Sequence, residues 1–125
     1  MKRLQRDNPE SFFVVENDSS KVVGYCVASE KGEFAHLISI GVLSEYRRKG
    51  VGVALLKALL AWLSQRPRVK EVWLEAKAGN GAAVKFYERF GFEVVRRIEN
   101  YYSDGSPALI MRLLMQEPKR ESGSG

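Results

Sequence analysis

Apolar positions recur along this chain in two rhythms, and the change of rhythm marks its elements. Phe12, Phe13, Val14 and Val15 form a short apolar run closed by Asn17, Asp18 and Ser19, the pattern of a strand followed by a turn. Val22–Ala28 is a second apolar strand, and the two are expected to form a hairpin. Ala35–Val42 is a third. From Gly50 to Leu63 the rhythm changes. Leu55, Leu56, Leu59, Leu60 and Leu63 recur at helical spacing, which predicts an amphipathic helix lying on a sheet and ending before Pro67. In Val69–Ala76, Val72, Leu74 and Ala76 alternate with Trp73 and Glu75, as in a half-buried strand. Asn80 is placed to cap a helix reaching Phe90, with Gly91 as its stop. Phe92–Ile98 and Ala108–Leu114 are the last two strands, joined by a loop over Asn100–Pro107. This order predicts an α/β domain with one mixed central sheet and flanking helices.

Composition narrows the class. A chain of 125 residues, 45% hydrophobic and 28% charged, suits one globular domain. We expect that domain over 12–115, between a polar N-terminal segment at 1–11 and a flexible polar tail at 116–125 that closes on Ser122, Gly123, Ser124 and Gly125. No apolar run reaches the ~20 residues of a membrane span, and no apolar stretch follows Met1–Arg6 to make a secretory signal, so a cytoplasmic location is expected. Cys26 is the only cysteine, which excludes an internal disulfide and a cysteine-rich metal site. The lone His36 reads as structural, since one histidine makes no metal site. Trp62 and Trp73 read as packing residues.

A net charge of +5 suits a polyanionic partner, whether nucleic acid, an anionic surface or a phosphate-rich cofactor. The position of the charge says more. Arg47, Arg48, Lys49, Gly50, Val51 and Gly52 stand between a strand and the start of a helix. A helix N-terminus offers unpaired N–H groups and a partial positive charge to an anion. Two glycines let a phosphate approach the backbone, and three cations add charge-assisted bonds. The segment is neither a Walker loop, lacking Lys and Ser or Thr after Gly50, nor a dinucleotide fingerprint, since Leu55 stands where the third glycine belongs. Its bland alternative is a solvated basic helix start.

With these residues the chain resembles the GNAT N-acetyltransferase superfamily. Arg47, Gly50 and Gly52 match that family's cofactor-loop signature, and Asn80, Tyr87, Gly91 and Phe92 match its later positions in order. Within it, Glu75, Asn80, Tyr87 and the run Asn100, Tyr101, Tyr102 are similar to RimI-like and archaeal N-alpha-acetyltransferases. The resemblance covers about Phe12 to Leu114. It implies a sheet whose third and fourth strands splay apart, and acetyl-CoA as cosubstrate without a metal. The acetyl group would pass directly to the N-terminal α-amine of a protein or peptide, such as a ribosomal protein.

The resemblance also implies roles. The backbone of Ile40, Gly41 and Val42 would hold the pantetheine arm, Arg48, Lys49, Gly50, Val51, Gly52 and Val53 would hold the pyrophosphate, and Arg47 would also bind the cofactor. Asn80 would cap its helix and touch the cofactor. Glu75 would be the base, acting through a water, and Tyr87 the acid, also in contact with the cofactor. Tyr101 and Tyr102 would line the peptide entrance. Plainer readings stand beside these: an exposed carboxylate for Glu75, a core aromatic for Tyr87, an ordinary aromatic loop for Tyr101 and Tyr102. Eleven residues precede Phe12, where family members have a strand and two helices. Either the sequence is truncated at its start or the fold is N-terminally shortened; in the second case we expect an incomplete peptide groove and an uncovered apolar face giving self-association or marginal solubility.

Three rival functions remain at this point. The acceptor amine could belong to a lysine side chain or a small molecule, since the same cofactor half serves them all. The chain could be a non-catalytic acyl-CoA-binding module, against which Glu75 and Tyr87 both argue. A nucleic-acid-binding role is disfavoured, because no binding motif is present and the Arg47–Lys49 cluster has its own explanation.

Overall fold

The structure, a computed structural model, describes residues 2–5 and 10–115. The elements run β1 (Lys2–Gln5), β2 (Glu10–Glu16), β3 (Val22–Lys31), β4 (Phe34–Val42), a 3-10 turn (Ser44–Tyr46), α1 (Val51–Ser64), β5 (Glu71–Lys77), α2 (Gly81–Arg89), β6 (Glu93–Ile98) and β7 (Ala108–Leu114). The strands make one mixed sheet in the order β1-β2-β3-β4-β5-β7-β6. Every pair is antiparallel except β4–β5, which α1 joins as a crossover.

The eight elements expected from the sequence are all present, with ends shifted by a few residues. One expectation fails. The N-terminal segment was expected to hold no element, yet Lys2–Gln5 pairs antiparallel with Ser11–Val14. Among its four residues only Leu4 is apolar, so no hydrophobic alternation marks it. It is an edge strand, joined to β2 by backbone pairing. The tail at 116–125 lies outside the described residues.

The core lies between the sheet and the two helices. Leu55, Leu56, Leu59 and Leu63 of α1 are fully buried against β2, β3 and β4. Each contributes about 2 kcal/mol of transfer free energy. In β5, Val72, Leu74 and Ala76 are buried on the helix side, while Glu71, Trp73 and Glu75 face the other way, half-buried. Phe13, Cys26, Leu37, Tyr87, Phe92 and Met111 complete the same cluster. Trp62 packs edge-on against Phe13, and Arg112 lies over the ring of Trp73.

The β4–β5 junction positions the site. These strands pair only through Phe34↔Glu71, Ala35↔Val72 and His36↔Trp73. Just beyond, the β3–β4 register shifts, with Ala28 opposite Leu37 but Val27 opposite Ser39, so Ile38 is an extra residue. A bulge adds twist and bends its strand. It falls where β4 leaves β5, and both strands continue unpaired with one another to Val42 and Lys77. The expected splay is thus present.

Cys26 has no exposure, and burial pushes its thiol up to about 12. The thiolate is the reactive form. A disulfide reagent at pH 8 is therefore expected to leave Cys26 unmodified in the folded protein and to label it fully once denaturant unfolds the chain.

Candidate functional site

The loop after β4 and the first turn of α1 form one wall of a pocket. Arg48 and Gly50 both adopt left-handed backbone, with φ of 64° and 80°. Glycine takes this without penalty, whereas a non-glycine residue held there costs on the order of 1 kcal/mol and marks functional turns. The turn delivers the chain into α1 with no side chain capping its N-terminus. The first helical bond runs from Ala54 N to Gly50 O. The amides of Val51, Gly52 and Val53 are thus the unpaired donors of a helix start. α2 is built differently at its start, where Asn80 Oδ1 accepts from Ala83 N at 3.1 Å.

The pocket has a volume of about 770 Å³. Val42, Tyr46, Arg47, Arg48, Gly50, Gly52 and Val53 line one side, and Gly81, Ala82, Lys85, Phe86 and Arg89 line the other. Gly52 is informative. A Cβ there would meet Phe86 at 3.5 Å and Val42 at 3.9 Å, ordinary contacts. Neither packing nor backbone geometry demands a glycine in this helix turn, where glycine costs roughly 0.5–1 kcal/mol relative to alanine. The space is left open toward the pocket. Gly41 differs, because a Cβ there would collide with the Tyr25 ring at 2.5 Å.

Six of the cofactor residues named from sequence line this pocket: Val42, Arg47, Arg48, Gly50, Gly52 and Val53. Lys49 stands outside it, with Nζ 5.4 Å from the Tyr46 ring centre. Val51 and Ile40 pack against the core. Asn80 and Tyr87 are not among its lining residues. Sequence reasoning missed the α2 wall. The signal was there, since Ala82, Lys85, Phe86 and Arg89 share a helix face at i, i+3, i+4 and i+7.

A second group gathers around Glu75. Its carboxylate binds His36 Nε2, with both oxygens at 2.9 Å. His36 was expected to be structural. It is a half-exposed side chain on the open side of the sheet, beside the last β4–β5 pair and held on Glu75. Nothing in the linear pattern could announce this contact between residues 39 apart. Tyr102 lies close enough to Glu75 and Tyr87 to interact with both electrostatically. Its own hydroxyl is pushed up, first by burial and then by Tyr101 and Glu75. Tyr101 and Tyr102 stack edge-on at 5.0 Å. Lys77 ties their loop to β5, with Nζ 3.2 Å from Asp104 and 5.3 Å from the Tyr102 ring centre. Bonds from the Ser106 side chain and backbone, then from Lys77, hold the Asp104 carboxyl down at about 2.

Tyr87 is buried between Phe86 and Phe92, and its hydroxyl is pushed up to about 12 by burial, then by Cys26 and Tyr102. Tyr87 and Cys26 both ionise more readily in the unfolded chain. Their contribution to stability is complete below pH 9 and is lost as pH rises toward about 12. The melting temperature is expected to fall across that window, and to fall less in Tyr87→Phe.

The model of the acetyltransferase (GNAT) family matches residues 1–92. The chain belongs to the GNAT acetyltransferase family. The N-alpha-acetyltransferase of Sulfurisphaera tokodaii is 35% identical over 113 residues, covering 81% of this chain and 67% of that protein. The ribosomal protein bS18 alanine N-acetyltransferase of Escherichia coli is 37% identical over 98 residues, covering 76% of this chain and 66% of that protein. The crystal structure of the Escherichia coli ribosomal-protein-S18-alanine N-acetyltransferase superposes with a TM-score of 0.82 at 31% identity, over 94% of this chain and 76% of that one.

As a GNAT member, the chain is an acetyl-CoA-dependent N-acetyltransferase, and its residues fit that cosubstrate. An uncapped helix end, an unneeded absence of side chain at Gly52 and four pocket cations suit a polyphosphate. No helix among the described residues is long and apolar enough to cross a membrane.

Proposed function

We propose that this chain transfers an acetyl group from acetyl-CoA to the N-terminal α-amine of a protein or peptide, by direct attack of the amine. The observation that carries this reading is the Glu75–His36 pair on the open side of the sheet, at the mouth of the β4–β5 gap and beside the Tyr101–Tyr102 loop. The names of the Sulfurisphaera and Escherichia coli relatives support it, and the second makes a ribosomal-protein N-terminus a fitting acceptor.

Acetyl-CoA supplies an activated acyl group and a thiolate leaving group. The protein supplies the proton traffic. An α-amine has a pKa of about 7.7–8.0, so much of it is already neutral near physiological pH. Glu75, through a water, takes the remaining proton, and His36 fixes the direction of its carboxylate. Tyr87 keeps its own proton up to about 12 and is the store from which one is donated. Cys26 is buried and protonated, which removes the one thiol that could have formed an acyl-enzyme. The amides at the start of α1, together with Arg47 and Arg48, would hold the pyrophosphate.

Tyr87→Phe preserves the ring contacts and removes the proton. We expect kcat to fall about 10- to 100-fold while the Kd for acetyl-CoA stays within about twofold, the pattern of an interaction made only in the transition state. A test of the acceptor class is thiol release from acetyl-CoA with two peptides. One has a free α-amine and no lysine; the other is N-terminally blocked and carries lysine. Release is expected with the first and not with the second.

A further inference from the structure

The α2 wall of the pocket holds two cations with no partner for them among the described ion pairs. Lys85 and Arg89 are one helical turn apart, both exposed and both facing the cavity. Phe86 between them stands over Gly52, so they flank the start of α1 from the side opposite Arg47 and Arg48. We propose that Lys85 and Arg89 bind the 3′-phosphate of the cosubstrate's adenosine and make the enzyme selective for CoA over its dephospho form. This rests on the assignment of the pocket to acetyl-CoA.

CoA carries two separate anionic groups, a pyrophosphate bridge and a 3′-phosphate monoester, each with about two negative charges near neutral pH. The uncapped α1 amides with Arg47 and Arg48 face the bridge from one wall. Lys85 and Arg89 then bring two further positive charges to the opposite wall, matching the second group. A cavity of about 770 Å³ is of the size that takes a whole small-molecule ligand, not a pair of phosphates. One turn apart on a shared helix face and in none of the described ion pairs, the two cations also repel each other modestly. A phosphate between them relieves that repulsion as it binds.

The test is calorimetric titration of the full chain with CoA and with dephospho-CoA, for the wild type and for the double variant Lys85→Gln, Arg89→Gln. The wild type is expected to bind CoA at least about 10-fold more tightly than dephospho-CoA. The double variant is expected to lose that preference, its CoA affinity falling to the dephospho-CoA value while its dephospho-CoA affinity stays within about twofold. Retained dephospho-CoA binding also shows that the variant is folded. Equal wild-type affinity for the two ligands overturns the proposal. So does an equal loss of both in the variant, which would place these cations on the pyrophosphate. Failure of the wild type to bind either ligand would instead overturn the assignment of the pocket, a result distinct from loss of selectivity.

Discussion

Replacing Glu75 with Gln is expected to lower kcat by about 100-fold on an α-amine acceptor, the lower end of what a positioned general base contributes. Glutamine has the same shape and still accepts a bond from His36, so geometry survives and only the capacity to take a proton goes. The deficit is expected to widen as pH drops below about 8, because more of the acceptor amine is then protonated and needs a base. Acetyl-CoA affinity is expected to be unchanged. His36→Gln provides the comparison. In the proposed mechanism His36 is a positioning residue, with its Nε2 2.9 Å from both Glu75 oxygens. Its loss is expected to cost only about threefold to tenfold in kcat with KM for the acceptor unchanged. A raised KM with kcat unchanged would show that His36 does not position the base. Steady-state kinetics from pH 6 to 9 on the three proteins reads all of this.

Gly52→Glu is expected to weaken acetyl-CoA binding at least about 100-fold, equivalent to losing two charge-assisted hydrogen bonds. The free protein is expected to melt no lower than the wild type. Space for a Cβ exists at this position, with Phe86 at 3.5 Å. Glutamate also has the higher helix propensity, by roughly 0.5 kcal/mol or more. Gly52→Ala separates the two contributions: stability rises slightly, and binding weakens by less than in the glutamate variant. Calorimetry for the ligand and thermal melts for the free protein check both. Undiminished binding by Gly52→Glu would remove the phosphate loop from the account.

The parts of this molecule written in local patterns could be read from its sequence. The leucine spacing of α1 and the alternation along β5 correspond to buried faces, and both come from burial against one sheet. Gly50 and Gly91 mark turns because both take positive φ, which glycine alone adopts freely. β1 was not legible, since its pairing uses backbone groups and its side chains follow no apolar rhythm. The His36–Glu75 contact was not legible either. It depends on the parallel register His36↔Trp73 and on the bend at Ile38, which are properties of the assembled sheet. Lys85 and Arg89 lie between. Their spacing was visible, but that their helix face closes the pocket over Gly52 was not.

The most direct measurement concerns one peptide that carries both a free N-terminal α-amine and an internal lysine. Incubated with acetyl-CoA and the enzyme, then fragmented in a tandem mass spectrometer, it reports which nitrogen received the acetyl group. A single acetyl group is expected on the α-amine, formed much more slowly by Glu75→Gln and Tyr87→Phe. Acetyl on the lysine nitrogen, or an unmodified peptide under conditions where the protein binds acetyl-CoA, would contradict this.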